Sequence, residues 1–181
     1  MNSYICYIGR PSYQKNTLFL IDVVDVVRKV LSGVKFLLLG VGYYSPELEQ
    51  VENKIKELGL SENIELKTWL SHVETLRIVK DSMFYLTVAR YEGLPLSVIE
   101  AMSLGKAIVA SDVVGNKDCI VNDYNWYLLP LDVQIFSEHI IQLVNDKELR
   151  TKFETNSRKL FEEKFLIDNR IAELERIYRE I

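Results

Sequence analysis

The chain has 181 residues, 48% apolar and 27% charged, with a formal net charge of −4. This length and balance predict one soluble globular domain with a core of its own, and the weak, interleaved charge gives no electrostatic case for nucleic acid. Two isolated cysteines, Cys6 and Cys119, and two isolated histidines, His72 and His139, exclude a disulfide framework and a patterned metal site, so a reducing compartment is expected. No apolar stretch is long enough to span a bilayer and no signal peptide opens the chain, which makes a cytoplasmic location the expectation.

Strand and helix patterns then alternate along the chain with short connections. Residues 4–9 (Y-I-C-Y-I-G) read as a first strand, 16–31 as a helix and 34–40 (V-K-F-L-L-L-G) as a second strand. Residues 46–58 form an amphipathic helix stopped at Gly59, and 64–69 (I-E-L-K-T-W) a third strand. A helix follows over 71–80, with Ser71 as N-cap and Glu74 closing a capping box. Residues 83–89 and 106–111 are strands four and five, on either side of a helix at 95–104, and 125–130 is a sixth strand. The remainder, 131–144, 147–165 and 167–181, is helical; His72 and His139 fall on helix surfaces and Cys119 in a loop. Nearly continuous apolar strands separated by helices predict an α/β domain, a doubly wound, mostly parallel six-stranded Rossmann-like sheet covered on both faces, with extra C-terminal helices.

Ligands of such sheets bind outside the carboxyl ends of the strands. The unusual residues fall at those ends: Gly9, Arg10 and Lys15 after strand one, Gly40 and Gly42 after strand two, Trp69 after strand three, Glu92 after strand four, Ser111 and Asp112 after strand five. Glycine admits close approach to the backbone, and the two cations suit a diphosphate. In A-R-Y-E-G-L-P-L-S-V-I-E-A-M-S-L-G, residues 89–105, Glu92 and Glu100 flank a turn and a helix start with Pro95 in its first turn. The amides of Gly93 and Leu94 at that helix terminus favour an anion. Glu100 is surrounded by Leu96, Ile99, Ala101, Met102 and Leu104, so the helix is expected to be buried nearly all round and the carboxylate to need a partner, which ribose hydroxyls would supply.

With these residues in place, the sequence resembles the nucleotide-binding, C-terminal half of retaining glycosyltransferases of the GT-B architecture, in the glycosyl transferases group 1 family. G-R-P-S-Y-Q-K-N at 9–16 is similar to that family's phosphate-binding G-R-x-x-x-x-K segment, and residues 91–112 to its E-x7-E signature with the strand that follows. The resemblance implies a nucleoside-diphosphate sugar as donor. Arg10 and Lys15 would contact the diphosphate and stabilise the leaving group. Glu92 would hold sugar hydroxyls, the amides of Gly93, Leu94 and Leu96 sugar or phosphate oxygens, and Glu100 the ribose. Thr68, Trp69 and Leu70 would line the base, chiefly with backbone, and Gly9, Gly40 and Gly42 would let the donor approach. No metal or other cofactor is implied, since cations and a helix terminus supply the positive field.

Three features depart from the family. V-G-N-K-D-C keeps Gly115 but places Asn116 where a second glycine is common and Asp118 near the usual acid, and Asn125-Trp126 replaces a later N-G turn. In length, residues 1–181 correspond to the donor half alone, so the N-terminal acceptor domain is expected to be missing and the chain to be a fragment or one part of a split enzyme. The C-terminal helix, 165–181, with Ile167, Ile171, Leu174 and Tyr178 in one stripe, is expected to contact that domain. Isolated, such a chain would bind donor weakly and transfer poorly; the full-length enzyme leaves room for peripheral association with the inner face of a membrane. The alternatives are an NAD(P)-dependent oxidoreductase half-domain, from G-V-G-Y-Y-S at Gly40 with Glu65 as ribose acid, a nucleotide-sugar epimerase, and an inactive nucleotide-binding or interaction domain.

Overall fold

The computed structural model describes residues 4–42, 44–119, 124 and 126–180. In chain order the elements are β1 (Tyr4–Ile8), α1 (Thr17–Val30), β2 (Lys35–Leu39), α2 (Leu48–Glu57), β3 (Ile64–Lys67), α3 (His72–Asp81), β4 (Tyr85–Thr87), α4 (Leu96–Ser103), β5 (Ile108–Ser111), α5 (Val114–Cys119), β6 (Trp126–Leu129), α6 (Val133–Asn145), α7 (Lys147–Lys164) and α8 (Ile167–Glu180). The six strands form one sheet in the order β3-β2-β1-β4-β5-β6, and every pairing is parallel. The order reverses between β1 and β4, which opens a crevice at their carboxyl ends.

Alternation along each strand sends side chains to two separate cores. Ile5 and Tyr7 of β1, Phe36 and Leu38 of β2 and Leu86 of β4 face α1, α2 and α6, where Leu20, Ile21, Val24, Val51, Phe136 and Ile140 are buried. Cys6, Tyr85, Ile108 and Ala110 face the other way, onto Val79 of α3, Val98 and Met102 of α4 and Cys119 of α5. Each fully buried aliphatic side chain contributes about 1.5–3 kcal/mol, so both layers are needed to hold the sheet. α7 serves both cores, with Phe153 on the first and Leu160 on the second. Phe153 meets Tyr127 of β6 edge to face at 5.2 Å.

The structure corrects several local expectations. Strand three ends at Lys67, so Thr68 and Trp69 belong to the following loop. Pro95 is the N-cap of α4 and not its first helical residue. Cys119 ends a short helix, α5, instead of sitting in a loop: Asn116 and Lys117 both donate to the Val113 carbonyl. α4 is not buried all round, since Leu96 is 65% exposed and Ile99 and Glu100 are half-buried. The capping box at Ser71 and Glu74 is present. Asn125, Trp126's side chain and Leu174's side chain lie outside what the structure describes. Among the described residues no helix is long and apolar enough to cross a membrane.

Candidate functional site

The loop from β1 to α1 is shaped from below by Tyr7. Its buried phenol donates to the Lys15 carbonyl at 3.0 Å and lies 3.3 Å from the Thr17 hydroxyl. A Cβ at residue 9 would come within 2.5 Å of the Tyr7 hydroxyl, so Gly9 is demanded by close approach and not by its backbone angles. Burial pushes the Tyr7 phenol well above its ordinary pKa, which keeps it a neutral donor. Asn16 closes the loop in the left-handed region, at φ 56, a conformation asparagine tolerates better than most side chains. Its amide donates to the Ser12 carbonyl at 2.8 Å.

This loop is stitched to the segment after β4. Arg90 donates its amide to the Gln14 carbonyl at 2.8 Å, Gln14 Nε2 donates to the Tyr91 carbonyl at 3.3 Å, and the Arg90 guanidinium lies 4.5 Å from the centre of the Tyr13 ring. Lys15 Nζ then meets Glu92 Oε1 at 2.6 Å, with the Glu92 side chain only 9% exposed. Behind the turn, Gly115 donates its amide to the Glu92 carbonyl at 3.2 Å, and a Cβ there would stand 2.3 Å from the Gly93 oxygen. The turn 92–94 is thus clamped between α5 and the β1–α1 loop. Among the described residues the amides of Gly93, Leu94 and Leu96 donate to no protein acceptor, and they stand at the positive end of α4. Arg10 is exposed at the mouth of the same crevice, where Gly40, at φ 85, packs beside the Gly9–Arg10 backbone.

Farther along the rim, the loops after β2 and β3 enclose a cavity of about 290 Å³ lined by Val41, Gly42, Leu48, Glu52, Thr68 and Trp69. Trp69 is 70% exposed, so it is not a core-edge residue. Its indole lies on Gly42, where a Cβ would meet Nε1 at 2.0 Å. Leu70 is half-buried against the second core. Next to this loop Glu100 Oε1 lies 2.8 Å from His72 Nε2, the first residue of α3. A second hollow of about 260 Å³ lies beside Glu92, between Arg90, Tyr91, Asp112, Val113 and Lys117. A larger one, about 520 Å³, opens at the amino ends of β1, β2 and β3, around Tyr4, Lys35, Leu37 and Glu65. We favour the carboxyl rim, because the free amides at the start of α4 stand there beside the Lys15–Glu92 pair, whereas among the described residues the amino-end hollow is lined by one cation, Lys35, and by no helix terminus.

The structure therefore brings Gly9, Lys15 and Glu92, with the turn at Gly93 and Leu94, into one group and lines one cavity with Gly42, Thr68 and Trp69; Leu70 packs on the second core, Glu100 pairs with His72, and Gly40 lies beside the Gly9–Arg10 backbone. Asp118 is exposed, and Asp112 pairs with Lys117 at 2.8 Å. Glu65 sits inside β3, paired with Lys67, and is not at a strand tip as a dinucleotide ribose acid would be. Sequence reasoning missed four participants: Tyr7, Gln14 and Arg90, which shape the loop, and His72, which holds Glu100. It also left Asn116 without a role. That side chain is fully buried, donating to the Ser111 carbonyl at 2.9 Å, while Ser111 donates to the Ala89 carbonyl at 2.6 Å. The one available signal was the polar-tipped Tyr7, two positions before Gly9 on the strand that leads into the loop.

The profile of the family described as Glycosyl transferases group 1 matches residues 1–160. The poly(ribitol-phosphate) alpha-N-acetylglucosaminyltransferase of Staphylococcus aureus is 29% identical over 161 residues, 88% of this chain and 32% of its own length. The UDP-Gal:alpha-D-GlcNAc-diphosphoundecaprenol alpha-1,3-galactosyltransferase of Escherichia coli is 24% identical over 98% of this chain and 46% of its own. Among solved structures, a TarM variant of S. aureus in complex with fondaparinux, alpha-GlcNAc-glycerol and UDP superposes with a TM-score of 0.87 at 27% identity, over 97% of this chain and 35% of that one. The chain thus spans about a third to a half of the length of these relatives.

Proposed function

The chain belongs to the glycosyl transferases group 1 family, and on that premise we propose that its carboxyl rim binds a nucleoside-diphosphate sugar as the donor lobe of a retaining glycosyltransferase in glycan or polysaccharide synthesis. The observation that carries this reading is the Lys15–Glu92 pair at 2.6 Å, set beside the free amides at the start of α4. A cation, a carboxylate and a helix terminus within one crevice match the needs of a sugar esterified to a diphosphate: positive field for the phosphates, an acceptor for sugar hydroxyls. The UDP in the TarM complex supports a uridine nucleotide as the donor carrier.

In this reading Arg10 and Lys15 neutralise the diphosphate and stabilise the charge that grows on it as the glycosidic bond breaks, with no metal ion required. Glu92 orients the sugar, the amides of Gly93, Leu94 and Leu96 take sugar or phosphate oxygens, and Glu100 takes the ribose. Gly9, Gly40 and Gly42 admit the donor close to the backbone, and the base enters the cavity beside Thr68, Trp69 and Leu70.

The rim also carries Tyr13, Tyr44, Tyr91, Leu94 and Val114, all more than half exposed. Apolar side chains on successive loops suit a second lobe that closes over the donor, positions an acceptor and excludes water. Ile167, Ile171 and Tyr178 of α8 are exposed as well, and their stripe suits a contact with the same lobe. Without such a lobe the chain binds donor weakly and transfers poorly. Its place is the cytoplasm, at the inner membrane face where the acceptor is lipid-linked.

Calorimetric titration with UDP, GDP, ADP and NADH tests the reading. One nucleoside diphosphate binding more tightly than NADH, with affinity lost in Arg10→Ala and in Glu92→Ala, is the expected result. Tighter NADH binding, or nucleotide affinity untouched by both substitutions, overturns it.

A further inference from the structure

Resting on the donor-site reading above, we infer that His72 is the positioning residue for the ribose-binding carboxylate, pinning one oxygen of Glu100 so that the other meets the ribose diol. The bond from His72 Nε2 to Glu100 Oε1 is 2.8 Å long and joins α3 to α4, 28 residues apart in sequence. Both ends have a reason to be where they are. His72 opens α3 directly after the N-cap, and the cap is locked: Ser71 donates its amide to Glu74 Oε2 at 2.9 Å and Glu74 returns its amide to Ser71 Oγ at 3.3 Å. Glu100 lies on a helix whose opposite side is anchored by the buried Val98, Ala101 and Met102.

Among the described residues Glu100 has no other side-chain partner, so a carboxylate 35% exposed would otherwise sample several rotamers. Holding it in place contributes little to folding, because the His72 side chain is 68% exposed and such surface pairs are worth about 0–1 kcal/mol. The effect belongs instead to binding, where a side chain already ordered spares the ligand that ordering cost. The position of the bond supports this. His72 follows directly on the loop 68–71, whose Thr68 and Trp69 line the cavity proposed for the base, and Glu100 lies on the helix whose first amides are proposed for the diphosphate.

The test compares UDP with 2′,3′-dideoxyuridine diphosphate on the unmodified chain, His72→Ala, His72→Gln and Glu100→Ala, by calorimetry, with thermal midpoints measured alongside. We expect His72→Ala to weaken UDP about three- to tenfold and the dideoxy compound less than about twofold. His72→Gln, whose amide still donates to a carboxylate, should recover part of the loss, and adding His72→Ala to Glu100→Ala should change nothing further. An equal loss for both ligands, no loss for either, or tighter UDP binding would each overturn the inference while leaving the donor site standing. If the unmodified chain binds no nucleotide, the site reading falls and this inference with it.

Discussion

Lys15 Nζ and Glu92 Oε1, 77 residues apart in sequence, lie 2.6 Å from each other, and the carboxylate is almost wholly enclosed. Neither element could produce this contact alone. It needs β1 and β4 side by side at the centre of the sheet, and it ties the loop after one to the turn after the other. Two groups proposed to act on opposite ends of one donor are partners before the donor arrives.

Removing the cation should therefore affect folding as well as binding. Lys15→Ala strands the Glu92 carboxylate in a partly desolvated site, and the expected loss is about 1–3 kcal/mol of unfolding free energy. Lys15→Ala combined with Glu92→Gln should recover part of that loss, since the neutral amide has less charge to desolvate. Urea unfolding of the unmodified chain and the two variants measures it, and an unchanged midpoint in Lys15→Ala would show that the pair is not held as described.

Tyr7→Phe keeps the ring under Gly9 but removes the donor to the Lys15 carbonyl. A buried acceptor left unpaired costs about 1–3 kcal/mol. The loop should also loosen, weakening nucleoside-diphosphate binding. Thr17→Val, which breaks the other contact of the same phenol, should cost stability without moving Lys15. Equal losses of affinity in both variants would argue against a positioning role for Tyr7.

Gly115→Ala introduces a Cβ 2.3 Å from the Gly93 oxygen, a backbone atom that cannot swing aside. Overpacking of this kind costs about 1–3 kcal/mol, and the turn at 92–94 must shift to relieve it. Gly33→Ala is the control: its Cβ meets nothing within 4 Å and its φ is not positive, so stability should hold or rise slightly. Thermal midpoints of the two variants should move in opposite directions or, at the least, differ clearly.

Burial pushes the Cys6 thiol up to about 12 and the Cys119 thiol up to about 11. Both are buried, one in β1 and one at the end of α5. With so little thiolate at pH 8, a disulfide reagent should modify both only as fast as the chain opens, and at the ordinary thiol rate in urea. Rapid modification of either thiol in the native protein would contradict its placement.

The strands, their parallel order and the gathering of glycines, cations and carboxylates at one rim were legible in the sequence because they follow from local pattern. Apolar runs bounded by turns specify strands, and strand ends in a doubly wound sheet share one edge. α5 was not legible, because V-G-N-K-D-C is too short for a helical period to emerge and carries a glycine and an asparagine. α4 read as buried because its composition is apolar. In the fold its Leu96 faces the open rim and His72 takes up the carboxylate of Glu100.

What the sequence determined by itself was the class of the fold and which residues fall at the carboxyl edge of its sheet, since hydrophobic periodicity and turn chemistry act within a few positions along the chain. Which of those residues touch was decided only by tertiary structure. The pairings of Lys15 with Glu92, Tyr7 with the Lys15 carbonyl, Trp69 with Gly42 and His72 with Glu100 depend on strand register and helix docking, which place distant segments within ångströms and which no local pattern encodes.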